Sequence, residues 1–265
     1  MKDYSSQLQL ALSAAVAGGN ILREHSGDRL AQNEKESRRD VVTAIDLYTQ
    51  QEIVRCIKAK DNAPIIAEES SVEEKKDITK GSCWIIDPID GTVNYINNIP
   101  LSAVSIAYMD EGKPVVGVIY NPTLNELYYG AEGIGVYKNN VKIKIRGGSP
   151  EELLYAMSFS GKSYHSAMRQ NEYDLFQDIN DTTRGCLRTG SAALNLAYLA
   201  SGRFGGCTGR DTKAWDIMAG ILLARLAGAR IEYTVTNAEK FLINYIAGTP
   251  EAFELLSKKV SEHFK

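Results

Sequence analysis

The segment WIIDPIDGT, residues 84–92, places two carboxylates three positions apart at the end of an apolar run. Residues 84–86 are typical of a buried strand, and Pro88 predicts that this strand stops there. Such a strand needs no acidic side chain at its end for stability. Asp87 and Asp90 therefore indicate a function at this point in the chain.

The residues after Asp90 complement the two acids. Carboxylates a few ångströms apart repel each other, and one tends to stay protonated unless a hard cation such as Mg²⁺ neutralises them. Gly91 allows close backbone approach, and the amides of Gly91 and Thr92 at a helix start would bind an anion. The combination predicts a site for a phosphate ester, although Asp90 alone could instead cap a short helix at Gly91 or Thr92.

The order of predicted elements indicates a layered α+β or α/β sandwich. A helix is predicted over 4–25, followed by a strand and a helix starting near 41, and by antiparallel strands over 101–145. The second half alternates strands and helices, ending in a helix that begins at Thr249-Pro250. We find no linker or repeat, so residues 1–265 are predicted to be a single unit with lobes of about 1–148 and 149–265.

Composition restricts the class of protein. The chain has 265 residues, of which 44% are hydrophobic and 24% charged, and a net charge of −3 without blocks of like charge. Nucleic-acid binding is not expected, because it normally requires a basic patch. The amphipathic N-terminus is unlike a signal peptide, and no apolar run is long enough to span a membrane. The cysteines are predicted to be reduced, mostly buried thiols of a cytoplasmic protein: Cys56, Cys83, Cys186 and Cys207.

At four places the sequence resembles the inositol monophosphatase family of Mg²⁺-dependent sugar-phosphate phosphatases. WIIDPIDGTVNY resembles the first family signature, and AWDIMAGILLARLAGA, which contains Asp216, resembles the second. VVTAID ends at Asp46, and AEES supplies Glu68. The resemblance spans nearly the whole chain and implies an αβαβα sugar-phosphatase fold, with two β-sheets between helix layers.

The resemblance also implies roles for these residues. Two Mg²⁺ ions are expected, with a third bound more weakly with help from Glu68. The first ion would be held by Glu68, Asp87 and the carbonyl of Ile89, and the second by Asp87, Asp90 and Asp216. The catalytic residues would be Glu68 and Thr92, which hold a metal-activated water for attack on phosphorus, and Asp46, which orients Thr92.

The substrate side follows from the same resemblance. Gly91 and Thr92 would bind the phosphate through their amides, and Lys35 matches a basic position that approaches the metal site. The loop Gly190, Ser191 and Ala192 matches the family's substrate loop, and Asp90 and Asp216 are expected to face the substrate. A small phosphorylated metabolite, Li⁺ inhibition and a homodimer are further expectations of the resemblance.

One position departs from the family pattern and leaves the substrate open. Inositol-hydrolysing relatives carry a glutamate seven residues before the aspartate of the second signature, where this chain has Gly209. Arg210 or Asp211 could substitute for that contact with the substrate. The alternatives to inositol phosphate are fructose 1,6-bisphosphate, histidinol phosphate, a nucleotide 3′-phosphate and NADP. A metal-binding relative that regulates a macromolecular partner is the remaining hypothesis, which the complete ligand set disfavours.

Overall fold

The computed structural model of the protein describes residues 2–27, 32–34, 41–70, 78–160 and 166–264. Within these ranges the chain forms two mixed β-sheets and a short two-stranded hairpin. Helices cover both outer faces and fill the space between the large sheets. The order of layers is helix, sheet, helix, sheet, helix, which confirms the predicted αβαβα sandwich.

The larger sheet has seven strands in sequence order, and only its first pair is parallel. Its strands are β3 (Ile65–Ala67), β4 (Ser82–Asp90), β5 (Ala103–Asp110), β6 (Lys113–Asn121), β7 (Glu126–Ala131), β8 (Gly135–Lys138) and β9 (Val141–Lys142). The hairpin before it pairs β1 (Gln32–Glu34) with β2 (Val41–Thr43).

The smaller sheet has five strands in the order β11-β10-β12-β14-β13. Its parallel strands are joined through helices, whereas β13 and β14 add an antiparallel edge. The strands are β10 (Leu154–Ser158), β11 (Gly185–Leu187), β12 (Gly206–Lys213), β13 (Arg230–Asn237) and β14 (Leu242–Gly248).

The helices make up the other three layers. Helices α1 and α2 cover the outer face of the larger sheet, α5 and α6 lie between the sheets, and α4 and α7 cover the smaller sheet. The short α3 follows β4 directly. Their bounds are α1 (Ser5–Glu24), α2 (Ala44–Lys58), α3 (Thr92–Ile96), α4 (Ser166–Thr182), α5 (Ala192–Ala200), α6 (Ala214–Leu226) and α7 (Pro250–His263).

Burial explains the sequence patterns of the central elements. Strands β4, β5 and β6 are buried along almost their whole length, since helices pack on both of their faces. Helix α6 is apolar on nearly every side because it lies between two sheets. One core cluster contains Ile85 and Ile243, so it joins residues from both halves of the chain. The proposed lobes stay a prediction.

The expected end of β4 at Pro88 is wrong. The strand continues to Asp90, and its pairing with β5 shifts register between Asp87 and Asp90. Proline is tolerated there because the irregularity removes the need for a ladder N–H. The bulge is therefore the local feature that sets the spacing of the two acids.

Two further observations bear on the compositional predictions. The four cysteines are free, and three of them are buried, as predicted. Among the described helices, none is both long enough and apolar enough to cross a membrane.

Candidate active site

Three carboxylates from distant parts of the chain meet at the end of β4. Asp87 and Asp90 lie on either side of the bulge, and Asp216 lies in the first turn of α6. One oxygen of each lies within 4.8 Å of the others. Asp87 and Asp90 are buried, with exposed fractions of 1% and 6%. Such a group of oxygen donors fits a hard divalent cation.

The electrostatics of this cluster favour a cation. Burial and the neighbouring acids raise the pKa of Asp87 and of Asp216 well above the usual value. Burial also raises the pKa of Asp90, to about 7, although three hydrogen bonds to its carboxylate act in the opposite direction. Without a cation, the cluster would therefore hold protons near neutral pH.

Glu68 stands next to this cluster. It follows β3, and its backbone amide donates to the carbonyl of Ile86 at 3.2 Å, which places it beside Asp87 on the neighbouring strand. Its charge contributes to the raised pKa of Asp87, Asp90 and Asp216. Its side chain is half-buried.

Thr92 connects the bulge to helix α2. Its hydroxyl lies 3.2 Å from Oδ1 of Asp46 and 3.0 Å from the carbonyl oxygen of Ile89. Asp46 is buried in the first turn of α2, so an acid 46 positions away meets the residue after the bulge. The Ile89 carbonyl, the expected metal ligand, has a second lone pair beyond the one that Thr92 uses.

Asp90 caps a helix, but a different one from the helix considered in the sequence. Its carboxylate accepts hydrogen bonds from the Ser191 hydroxyl and from the amides of Ala192 (3.3 Å) and Ala193 (2.7 Å). These groups form the start of α5, where Ser191 is the N-cap residue. The expected substrate loop, Gly190 to Ala192, is thereby fixed to a predicted metal ligand.

Two residues that the sequence did not single out hold these elements together. Ser105 on β5 pairs with Asp87 and donates from its hydroxyl to the carbonyl of Trp215 at 2.9 Å, next to Asp216. Asn94 on α3 donates to the carbonyl of Thr189, directly before the expected substrate loop. Asn94 lies inside the first signature and could have been found there, whereas Ser105 carries no signal in the sequence.

Gly209 lies under an aromatic ring. A Cβ at this position would lie 2.7 Å from Cε1 of Tyr245 and from Oγ1 of Thr212, and 3.0 Å from Cβ of Ser158. Tyr245 is on β14, and its hydroxyl reaches Oγ of Ser158 on β10 at 3.3 Å, across strand β12. A larger residue at 209 would displace this ring.

The neighbours of Gly209 make contacts on the other face of the sheet. Arg210 stacks on the ring of Phe264, 4.0 Å from its centroid. The Asp211 amide donates to Asn244 at 2.8 Å, and its carboxylate accepts from the Thr236 hydroxyl. Phe264 packs against a different core cluster from that of Tyr245, so Arg210 faces away from Tyr245. The suggestion that either residue replaces the missing glutamate therefore stays a prediction without support from these contacts. Lys35, the other expected basic residue, lies outside the described residues.

Comparisons with known proteins bear on the family of this chain. A profile of the inositol monophosphatase family matches residues 3–263. The chain is 31% identical over 268 residues to a fructose-1,6-bisphosphatase/inositol-1-monophosphatase of Aquifex aeolicus, which covers 100% of this chain and 99% of that protein. It is 33% identical over 262 residues to Nus factor SuhB of Vibrio cholerae, covering 97% and 96% of the two chains. Among solved structures, an IMPase of Thermotoga maritima has a TM-score of 0.83 at 30% identity, with 97% of this chain and 98% of that chain covered. The chain belongs to the inositol monophosphatase family.

Proposed function

We propose that this protein is a Mg²⁺-dependent phosphomonoesterase that hydrolyses inositol monophosphate or a related polyol or sugar phosphate. The observation that carries the proposal is the meeting of Asp87, Asp90 and Asp216 within 4.8 Å. Three acids in mutual repulsion, two of them buried, are costly for a fold, and a bound cation offsets that cost. Family membership supports the same chemistry.

The chain offers ligands for two Mg²⁺ ions, with a weaker third near Glu68. Glu68, Asp87 and the Ile89 carbonyl would hold the first ion, and Asp87, Asp90 and Asp216 the second. When bound, Mg²⁺ would lower the pKa of the attacking water and neutralise charge on the phosphoryl oxygens.

The protein groups would then direct the attack. The hydroxyl of Thr92 is oriented by Asp46 and the Ile89 carbonyl, which leaves its lone pair to accept a hydrogen bond from the attacking water. The water oxygen bonds to phosphorus while the ester P–O bond breaks, and one proton of the water passes toward Glu68. The leaving oxygen takes up a proton from the solvent and Glu68 releases its proton to the solvent, so the products are an alcohol and inorganic phosphate.

The substrate side would be formed by two short segments. The amides of Gly91 and Thr92 would bind the phosphate, and Gly190, Ser191 and Ala192 would border the alcohol. The residues after GT, VNYINNIP, resemble the inositol branch of the family more than the nucleotide branch. The name of the Aquifex aeolicus relative joins two substrates, so fructose 1,6-bisphosphate is the first alternative. Histidinol phosphate, a nucleotide 3′-phosphate and NADP are the others.

Phosphate release from a panel of these esters tests the proposal. We expect Mg²⁺-dependent release by the wild type, none in EDTA, and a loss of at least about 100-fold in Asp90→Asn. The exposed Asp181, changed to Asn, is the matched control and should keep full activity. No release from any ester in saturating Mg²⁺ would overturn the proposal.

Similarity to proteins named Nus factor SuhB supports a second candidate, a regulatory role through a macromolecular partner. A role of that kind would not need the acidic cluster to turn over substrate. In a cell lacking this protein, a fully inactive Asp90→Asn variant that restores normal growth would favour the partner role over the phosphatase.

Three further expectations belong to the same proposal. The free cysteines support a reducing compartment, and we propose the cytoplasm. An oxygen-rich acidic cluster supports Li⁺ inhibition by occupation of a metal position. Homodimer formation rests on the family resemblance, and light scattering of the purified chain would test it.

A further inference from the structure

Asn94 joins two parts of the chain that are far apart in sequence. It lies on α3, and only 9% of its surface is exposed. Its amide nitrogen donates to the carbonyl of Leu101 at 2.7 Å and to the carbonyl of Thr189 at 2.8 Å. The side-chain NH₂ group of Asn94 therefore donates to one carbonyl in the segment after α3, at Leu101, and to one in the segment before α5, at Thr189.

Two glycines bring the segments into direct contact beside this amide. A Cβ on Gly91 would lie 2.8 Å from the carbonyl oxygen of Leu101 and 3.3 Å from that of Gly190. A Cβ on Gly190 would lie 2.8 Å from the amide nitrogen of Asn94. Both glycines have positive φ, 90° and 86°. The backbones pack so closely that small shifts of one segment must move the other.

The residues that follow Thr189 contact Asp90. The Thr189 hydroxyl donates to Oδ1 of Asn195 on α5 at 2.6 Å, so Thr189 is held at both its carbonyl and its side chain. Ser191 follows two residues later and donates to the Asp90 carboxylate, as does the amide of Ala193. The position of Thr189 therefore determines where the donors to Asp90 lie.

We propose that Asn94 is a positioning residue, which fixes the 189–191 loop against the Gly91–Thr92 segment and thereby orients Asp90 for Mg²⁺. This inference rests on the proposed function. Asn94 makes no contact with reacting atoms in it, because both donors of its amide are used on backbone carbonyls. Without that amide the loop is free to shift, and Ser191 and Ala193 shift with it.

Calorimetric titration with Mg²⁺ alone tests the idea on the folded chain. Asn94→Ala should weaken Mg²⁺ binding by about 10- to 100-fold, the usual effect of removing a group that orients a ligand. The same variant should lower kcat at saturating Mg²⁺. Asn97→Ala is the matched control, because this exposed asparagine is the C-cap residue of the same helix and its side-chain amide donates to the carbonyl of Val93 at 2.8 Å.

A second variant approaches the contact from the other side. Gly190→Ala pushes a methyl group against the Asn94 amide and should also weaken Mg²⁺ binding. Combining it with Asn94→Ala removes the clash, so the double variant should lose less than the product of the single losses.

The outcomes separate this inference from the proposed function. A folded Asn94→Ala that binds Mg²⁺ as tightly as Asn97→Ala, with only a lower melting temperature, would overturn the positioning role. If Asn94→Ala does not fold, unchanged Mg²⁺ binding in Gly190→Ala would overturn it instead. An inactive wild type that binds Mg²⁺ would refute the phosphatase proposal and leave the Mg²⁺ titration valid.

Discussion

The carboxylate of Asp90 accepts a hydrogen bond from the backbone amide of Ala193 at 2.7 Å, across 103 positions of sequence. A residue at the end of a strand in the larger sheet thus caps a helix that lies between the two sheets. The positive end of the helix stabilises the charged carboxylate, and burial opposes it. Burial has the larger effect, so the pKa of Asp90 is raised to about 7.

This pKa predicts how Mg²⁺ binding depends on pH. A ligand must lose its proton to bind the cation, so affinity should fall as the pH drops through about 7. Calorimetry in buffers of different ionisation enthalpy should show proton release on binding at pH 6.5, since that is about half a unit below the Asp90 pKa. Affinity that is constant between about pH 6 and 8 would contradict the prediction.

Removing one acid should stabilise the metal-free protein. Burial and repulsion raise the pKa of Asp87, so the folded state binds more protons than the unfolded state and loses stability as the pH rises above the usual Asp value. In EDTA at about pH 8, Asp87→Asn should therefore melt about 2–4 °C higher, or roughly 1 kcal/mol. The advantage should shrink toward about pH 4.

Asp110 provides the control of opposite sign for that experiment. Hydrogen bonds from Lys2 and Tyr4 hold the pKa of its carboxyl below the usual range. Asp110→Asn should thus lower the melting temperature. An Asp87→Asn protein that melts lower than the wild type in EDTA would refute the repulsion argument.

The packing of Tyr245 over Gly209 predicts a coupled pair. Gly209→Glu alone should destabilise the protein by about 1–3 kcal/mol, because its Cβ would lie 2.7 Å from the tyrosine ring. Tyr245→Ala opens that space, so the double variant should be more stable than the sum of the single effects predicts. We expect the double variant to shift its preference toward inositol 1-phosphate, measured as a ratio of kcat/KM values.

Gly147 offers the matched control for this change. A Cβ there meets no atom within 4 Å, so Gly147→Glu should change stability by less than about 0.5 kcal/mol. Additive stability effects at 209 and 245 would contradict the coupling.

Glu126 predicts an acid-sensitive contribution to stability away from the site. Although burial alone would raise its pKa, hydrogen bonds from Arg203, Lys138 and Tyr128 lower it from 4.5 to about 2. The folded state thus gains stability that is complete above the unfolded pKa and is lost as the pH falls from about 4.5 to 2. Glu126→Gln should cost roughly 1–3 kcal/mol in urea unfolding at about pH 7, and less at about pH 3.

Glu132 serves as the comparison, because it is more exposed and pairs with a single arginine, Arg225, at 2.5 Å. Its change to Gln should cost less than about 1 kcal/mol. Equal losses in the two variants would show that the buried ion cluster contributes nothing beyond an ordinary surface pair.

Much of the fold could be predicted because its signals are local. The hairpin between β5 and β6 follows from two apolar runs on either side of Glu111-Gly112, which both adopt positive φ. The last helix follows from Thr249, whose side chain accepts from the amide of Ala252. The predicted end of β4 was wrong because the bulge depends on how β4 pairs with β5. No residue of β4 reveals the register of that pairing.

The sequence by itself determined the chemical types at the site and their order: acids at 68, 87, 90 and 216, with Gly91 and Thr92 after them. Only the tertiary structure decided which donors hold Asp90, how Ser105 contacts α6, and which side chains a Cβ at Gly209 would meet. The physical reason is that hydrogen bonds and steric contacts between distant segments depend on how sheets and helices pack. Residue type and spacing along one segment carry no information on that packing.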